Sequence, residues 1–336
     1  MTVQVMKLKN PASLDNLWLD EVTPRAPGPG EIQVAIKASS LNFHDYAVVA
    51  GMIPVEDGRV PMSDGAGEVL AIGDGVTEFS VGDGVLSYFF PKWVSGRPVA
   101  SRLLGVPGDH VDGFASQVVT MPASWFSRMP SNLDFAAAST LTCAGLTAWR
   151  ALMVETKLAP GDWVLVQGSG GVSVFALQLA RAMGCRVIAT SSSNEKLAKL
   201  GVLGAEVLIN YREDPNWGNA ALEATGGEGV SLVVEVGGPG NLPQSVRAIA
   251  FDGCISLIGI LTGISGDVPT AALMQKNARI SGITVGSQSD QAALIKAVEA
   301  HDIQPVIDRH FPLAELKAAF EFQASQQHFG KICVSF

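Results

Sequence analysis

The sequence predicts an α/β protein in which a partly open β-barrel is joined to a doubly wound parallel sheet. Three observations carry this. The first third alternates short β runs with dense turns. The middle repeats compact Val- and Ile-rich runs, each followed by a helix-like segment. The tail holds two amphipathic helices and a closing strand. At 336 residues, 47% hydrophobic and 16% charged, the chain has the length for about two domains and the apolar content for a large core.

In chain order, EIQVAIKASSL from Glu31 alternates apolar and polar residues as a half-buried strand does. Gly65, Gly67, Gly73 and Gly75 then punctuate DGAGEVLAIGDGV, and VGDGVLSYFF follows, the pattern of a small barrel. From about residue 145 the runs DWVLVQ, CRVIAT, EVLIN, SLVVEV and CISLIG read as strands buried on both faces. VSVFALQLARAMG reads as a buried helix between the first two. After about residue 286 come the helices QAALIKAVEAH and LAELKAAFEFQASQ and the strand KICVSF, a tail that packs back on the first domain. The expected domains are therefore 1–144, 145–286 and a return segment, 287–336.

The formal charge of −9 argues against nucleic acid or an anionic membrane as partner, since both require a basic face. Cys143, Cys185, Cys254 and Cys333 are scattered without a CxxC pair, which suits a reduced, cytoplasmic chain. MTVQVMKLKN has no apolar signal core, and no run is long enough to span a bilayer.

The chemistry begins at GSGGVS. Gly168, Gly170 and Ser173 occupy the three small positions of a GxGxxG-type loop between a strand and a helix. Ser169, Gly171 and Val172 fill the rest, and the free N–H groups at the helix start attract a pyrophosphate. The next strand leads into RVIATSSSNEK, where a carboxylate would normally accept the ribose hydroxyls. Ser191 and Ser192 stand there instead, with Lys196 behind. That removes a repulsion toward a 2′-phosphate and adds donors, which selects NADPH over NADH. The same stretch also reads as a helix N-cap through Ser193 or Asn194, and the two roles are compatible.

Along essentially its whole length the chain resembles the medium-chain dehydrogenase/reductase superfamily. The likeness rests on GAGEVLAIGDGV, GDGVLSYF, LTCAGLTAW, VLVQGSGGVSVFALQLAR, IATSSSNEK, LGAEVLINY and HFGKICVSF. It is closest to the zinc-free quinone-oxidoreductase-like branch, with LTCAGLTAW shared by zinc-type alcohol dehydrogenase-like relatives. The resemblance implies a GroES-like catalytic domain, a Rossmann domain, a cofactor in the cleft between them, and a homodimer or homotetramer. It also implies that Lys196 and Tyr211 hold the 2′-phosphate, that Val236 and Gly237 lie beside the ribose, and that Gly259 and Ile260 lie near the nicotinamide.

Zinc-dependent members hold the metal with a cysteine, a histidine and a second cysteine, and a catalytic zinc needs three protein ligands. Those places fall here on Asn42, Ser63 and Cys143, so no metal is expected. A scrambled site of His44, Asp64 and Cys143 is the alternative. Without a Lewis acid, reduction of a quinone or an activated C=C is the less demanding reaction, because a developing oxyanion then needs only hydrogen-bond donors and a proton. Asn42, His44, Tyr46 and Tyr88 are the candidate catalytic residues. The resemblance places Asn42 and Asp45 in an NxxD pattern of the quinone-reductase branch, with Asp45 orienting. His44 reads equally as a satisfied surface histidine. The aromatic run SYFFPKWVSGRP from Ser87 cannot all face inward along one strand, so some of Tyr88, Phe89, Phe90 and Trp93, with Trp149, line a pocket for a small hydrophobic or aromatic substrate. An alcohol dehydrogenase or carbonyl reductase with a remodelled metal site, and an NADPH-binding protein without turnover, remain as alternatives.

Overall fold

The structure is a computed structural model that describes residues 2–336. The chain divides into two compact units, one of Met1–Leu146 with Gly286–Phe336 and the other of Thr147–Val285.

In the first unit a hairpin, Val3–Leu8 with Leu17–Val22, accompanies a seven-stranded sheet. The sheet runs from Ile307–Pro312 through Lys331–Ser335, Glu31–Ser40, Ala66–Ile72 and Gly84–Ser87 to Phe126–Arg128, with Val118–Pro122 also on Glu31–Ser40. The alternation read in EIQVAI is real: Ile32, Val34 and Ile36 point into a core with Val69, Val85, Phe114 and Phe126. It stops at Ala38, beyond which Ser39 and Ser40 are both fully buried. Polar residues on both faces of a buried strand end require partners on both sides, and the candidate site begins there.

The aromatic run departs from expectation. The strand ends at Ser87, and turns follow, so strand alternation does not dictate which rings face inward. Phe89, Phe90 and Trp93 are all buried and pack edge-on or tilted, with ring centroids 4.8 and 6.0 Å apart. They form core, and only Tyr88 of the run's rings is half-buried.

The second unit is a six-stranded sheet, parallel throughout. Taking its strands in sequence as Trp163–Gln167, Arg186–Ser191, Val207–Asn210, Val230–Glu235, Ile249–Leu257 and Arg279–Gly282, their spatial order is 3-2-1-4-5-6. This is the doubly wound dinucleotide-binding arrangement. Its ligand crevice opens where the order reverses, at the carboxyl ends of Trp163–Gln167 and Val230–Glu235. The helix Gly171–Ala182 buries Val174, Phe175, Leu177 and Leu179, as its apolar sequence requires. The four-residue strand Arg279–Gly282 has no counterpart among the predicted runs.

Candidate active site

In the second unit, Trp163–Gln167 turns through Gly168 into the helix that starts at Gly171. Gly168 has φ +70°, a left-handed conformation that favours glycine. Gly170, at the N-cap, has an ordinary φ of −78°. A β-carbon there would meet no atom within 4 Å, so neither strain nor packing demands glycine. Its absence of side chain keeps open the space over the first helical N–H groups, which lack intrahelical partners and carry the positive end of the helix dipole. Ser173, buried, donates its hydroxyl to Gln167 O at 2.5 Å and ties the helix to the strand. These residues fit a dinucleotide pyrophosphate.

At the reversal point Gln167 Nε2 donates to the buried Glu235 at 2.6 Å. The Gly237 and Gly238 N–H groups donate to its other oxygen, each at 2.9 Å. A β-carbon on Gly259 would lie 2.0 Å from Val236 O, so glycine is what lets these two loops meet. Gly237 thus has its N–H on Glu235, while Ile260 is exposed.

At the serine turn the helix Asn194–Val202 is capped by Ser193, which accepts from Lys196 N at 3.3 Å. Ser191 is buried, and its Oγ accepts from Ser193 N at 3.3 Å, which braces the turn through a lone pair and not through its O–H donor. Ser192 and Lys196 are half-buried. The pairing of Asn210 with Ser191 brings the exposed Tyr211 to the end of this run, its N–H on Ser191 O at 3.1 Å. Sequence reasoning missed Glu213, which accepts from Asn194 Nδ2 at 2.7 Å and Asn210 Nδ2 at 3.1 Å beside the same turn.

In the first unit the four candidate catalytic residues have different surroundings. Asn42 precedes the helix Phe43–Val49 and is buried. Its amide Oδ1 accepts from Lys331 Nζ at 2.6 Å, and its Nδ2 reaches Ser63 Oγ and Ser40 O only at 3.4 Å. Tyr46, on the same helix, packs against the apolar core near Phe43. His44 faces Phe89, 5.2 Å between centroids, and its Nε2 lies 3.6 Å from Asp109 Oδ2, outside hydrogen-bond range. That nitrogen is buried without a partner, and burial lowers the imidazole pKa. It is therefore not the satisfied surface histidine of the alternative reading. Tyr88 turns its hydroxyl to Ser127, and burial raises its pKa.

Around Asn42 lies a buried polar cluster that sequence reasoning did not assemble. Asp45 accepts from Asn42 N at 3.0 Å and from Ser63 N at 2.8 Å. Asp64 accepts from Ser40 Oγ at 2.6 Å through Oδ2, while its Oδ1 has no partner. Lys331, 4% exposed, also donates to Leu41 O at 2.6 Å and stands 3.8 Å from Asp64 Oδ2. Burial pushes Asp64 up to about 7, against the lowering pull of Lys331, and Asp45 up to about 6, against its bonds to Ser63. Met62, buried at φ +80°, aims the chain so that Ser63 and Asp64 enter the cluster. A positive φ on methionine is uncommon and is held by its surroundings. The one sequence signal of Lys331 is a cation opening an otherwise apolar closing strand.

The strand order and glycine turn of the second unit are those of a dinucleotide-binding domain. Comparison with known proteins agrees. Residues 28–131 match the alcohol dehydrogenase GroES-like domain family, and residues 171–300 match the zinc-binding dehydrogenase family. A zinc-type alcohol dehydrogenase-like protein of Schizosaccharomyces pombe is 42% identical over 92% of each chain. A putative alcohol dehydrogenase of Sinorhizobium meliloti superposes with TM-score 0.93 at 38% identity, over 100% of both chains. An NAD-dependent alcohol dehydrogenase gives TM-score 0.90 at 30% identity over 99% of both. A Pseudomonas syringae quinone oxidoreductase gives 0.83 at 25%, over 99% of this chain and 100% of that one. The chain belongs to the medium-chain dehydrogenase/reductase superfamily.

The residues present do not fit the zinc of the metal-dependent members. Asn42 and Ser63 do come together, at 3.4 Å. The only good ligand atom of Asn42, its amide oxygen, is however taken by an ammonium, which would repel a divalent cation. No group of three or more His, Cys, Asp or Glu side chains among the described residues is placed to hold a metal. Among them, no helix is long and apolar enough to cross a membrane.

Proposed function

We propose that this chain is an NADPH-dependent, zinc-independent reductase of quinones or α,β-unsaturated carbonyls. The observation that carries the reading is the Lys331–Asn42 contact, which turns the first zinc-ligand position into a hydrogen-bond donor. A donor stabilises the oxyanion that develops when an enone or quinone accepts hydride, and that is the part a Lewis acid plays elsewhere. When bound, NADPH supplies the hydride. That hydride, leaving the cofactor's C–H bond, would add to the β-carbon of an enone; the displaced electron pair is held on the enolate oxygen by the Asn42 donor, and a solvent proton at the α-carbon completes the saturated carbonyl.

The chain's own parts divide the work. Gly168, Ser169, Gly170, Gly171, Val172 and Ser173 receive the pyrophosphate, and Ser192, Lys196 and Tyr211 receive the 2′-phosphate. Val236 and Gly237 flank the ribose, and Gly259 and Ile260 the nicotinamide. Asn42 donates to the substrate oxygen. His44, held neutral by burial at pH 7, is a second polar group of this region. A small hydrophobic or aromatic substrate, a cytoplasmic location and a homodimer or homotetramer complete the reading; light scattering after size exclusion tests the last.

The names of the relatives favour a second reading, an alcohol dehydrogenase with a remodelled metal site. A screen of NADPH oxidation over quinones, enones and aldehydes, with NADH as control and metal analysis after dialysis, separates the two. Equal rates with NADH would remove Lys196 and Tyr211 from the cofactor assignment.

A further inference from the structure

Lys331 is carried into the cluster by strand register. Cys333 pairs with Ser40 in antiparallel fashion, and Leu41 N donates to Ile332 O at 3.0 Å. One further step along both strands opposes Lys331 to Asn42. The turn before it requires Gly330, which has φ +79° and where a β-carbon would lie 2.3 Å from Val306 O. A lysine ammonium has three donors and no acceptor. Facing Asn42 at 2.6 Å, it permits one amide orientation, because the flipped amide would set N–H against N–H. The amide nitrogen then has only 3.4 Å contacts, beyond the usual 2.7–3.2 Å of a formed N–H···O bond. Both bonds are long and weak, and the nearby Asp64 carboxylate competes for the same N–H groups, so a substrate oxygen can exchange for one of them.

We propose that Lys331 is a positioning residue. Its buried ammonium locks the Asn42 amide with oxygen inward, so that Nδ2 is presented as the donor to the substrate oxygen. This rests on the reductase reading above. Asp64 stands 3.8 Å from the ammonium and is itself a partner of the Asn42 side chain, on the donor end that the lysine leaves facing it. The pair thus does by polarity what a metal would otherwise do by charge: it fixes which end of the first-position side chain faces the reaction.

The test compares Lys331→Met with Asp64→Asn alone and with both together. The doubly neutral variant guards against misfolding, since Lys331→Met by itself strands a buried carboxylate. Each is made with and without Asn42→Ala. With Asn42 present, removing the lysine from the Asp64→Asn protein is expected to lower kcat about tenfold or more at unchanged KM for NADPH. In the Asn42→Ala background the same change is expected to move kcat less than about twofold, because the lysine acts through the asparagine. In ¹⁵N-labelled protein the Asn42 side-chain amide pair, assigned by its loss in Asn42→Ala, is expected to shift when Lys331 is removed. Equal losses of kcat in both backgrounds, or an unmoved amide pair, overturn the proposal. If the wild-type protein oxidises no NADPH with any quinone or enone, the reductase reading falls, and the amide resonance still decides whether Lys331 sets Asn42.

Discussion

Two fully buried carboxylates, one in each unit, are held in opposite ways. Glu235 accepts from Gln167 Nε2, the Ser245 hydroxyl and the N–H groups of Gly237 and Gly238, all neutral donors that fill both its oxygens. Asp64 has one hydroxyl on Oδ2, nothing on Oδ1, and a buried ammonium 3.8 Å away. Burial raises the pKa of both. A carboxylate with its acceptors filled by backbone and amide groups is a clamp, and Glu235 clamps the loop beside the nucleotide crevice. A carboxylate left partly unsatisfied beside a cation costs stability and sets a local field. The buried acid of the second unit is thus held by neutral backbone and side-chain donors, and that of the first by an incomplete charge pair.

The sharpest break of this comparison is Gly170→Val. The conformation and the space are open to a side chain, so the thermal midpoint should hardly change, while affinity for NADPH should fall about a hundredfold as the side chain fills the phosphate space. Calorimetry and a binding titration read the two effects separately; a parallel loss of stability would show that Gly170 serves the fold. Next in size, Lys196→Ala should raise the KM for NADPH about tenfold and leave that for NADH unchanged, as expected for one charge-assisted contact to phosphate. Steady-state kinetics with both cofactors check it.

Asp64→Asn probes the other half through pH. The native pKa near 7 exceeds the unfolded value near 4, so between them the native state holds a proton the unfolded state has lost. Stability from this group is therefore full below about pH 4 and declines as pH rises through about 7. The variant should lack that decline, so the difference in thermal midpoint should move in its favour by several degrees as pH rises from about 5 to about 8, on top of a constant cost for leaving Lys331 unpaired. Glu235→Gln has no buried cation beside it to unbalance. The smallest effect belongs to Tyr88→Phe: its hydroxyl serves Ser127, so kcat should stay within about twofold and stability should drop by about 1 kcal/mol.

The same contrast explains what could be read without the structure. GSGGVS is contiguous, and its glycine spacing follows from local backbone geometry, so the turn from strand into helix was legible from six residues. The first five strands were legible from their Val- and Ile-rich runs, whereas RISG, no shorter than VLIN, was too polar to register. The inward packing of Phe89, Phe90 and Trp93 was misjudged because the strand ends at Ser87, and a turn is free of strand alternation. Which of the three serines turns inward is not encoded in their run, and the structure buries Ser191. The Asn42–Lys331 contact joins residues 289 apart through one strand register, and no local pattern encodes it.

The central claim is that Asn42, set as a donor, works without a metal. It is tested most directly by assaying extensively dialysed protein of measured metal content for NADPH oxidation with enones and quinones. Turnover is expected at zinc far below one equivalent per chain, preserved in the presence of chelator and lost in Asn42→Ala. Activity that rises in proportion to bound zinc, or that survives Asn42→Ala undiminished, would contradict it.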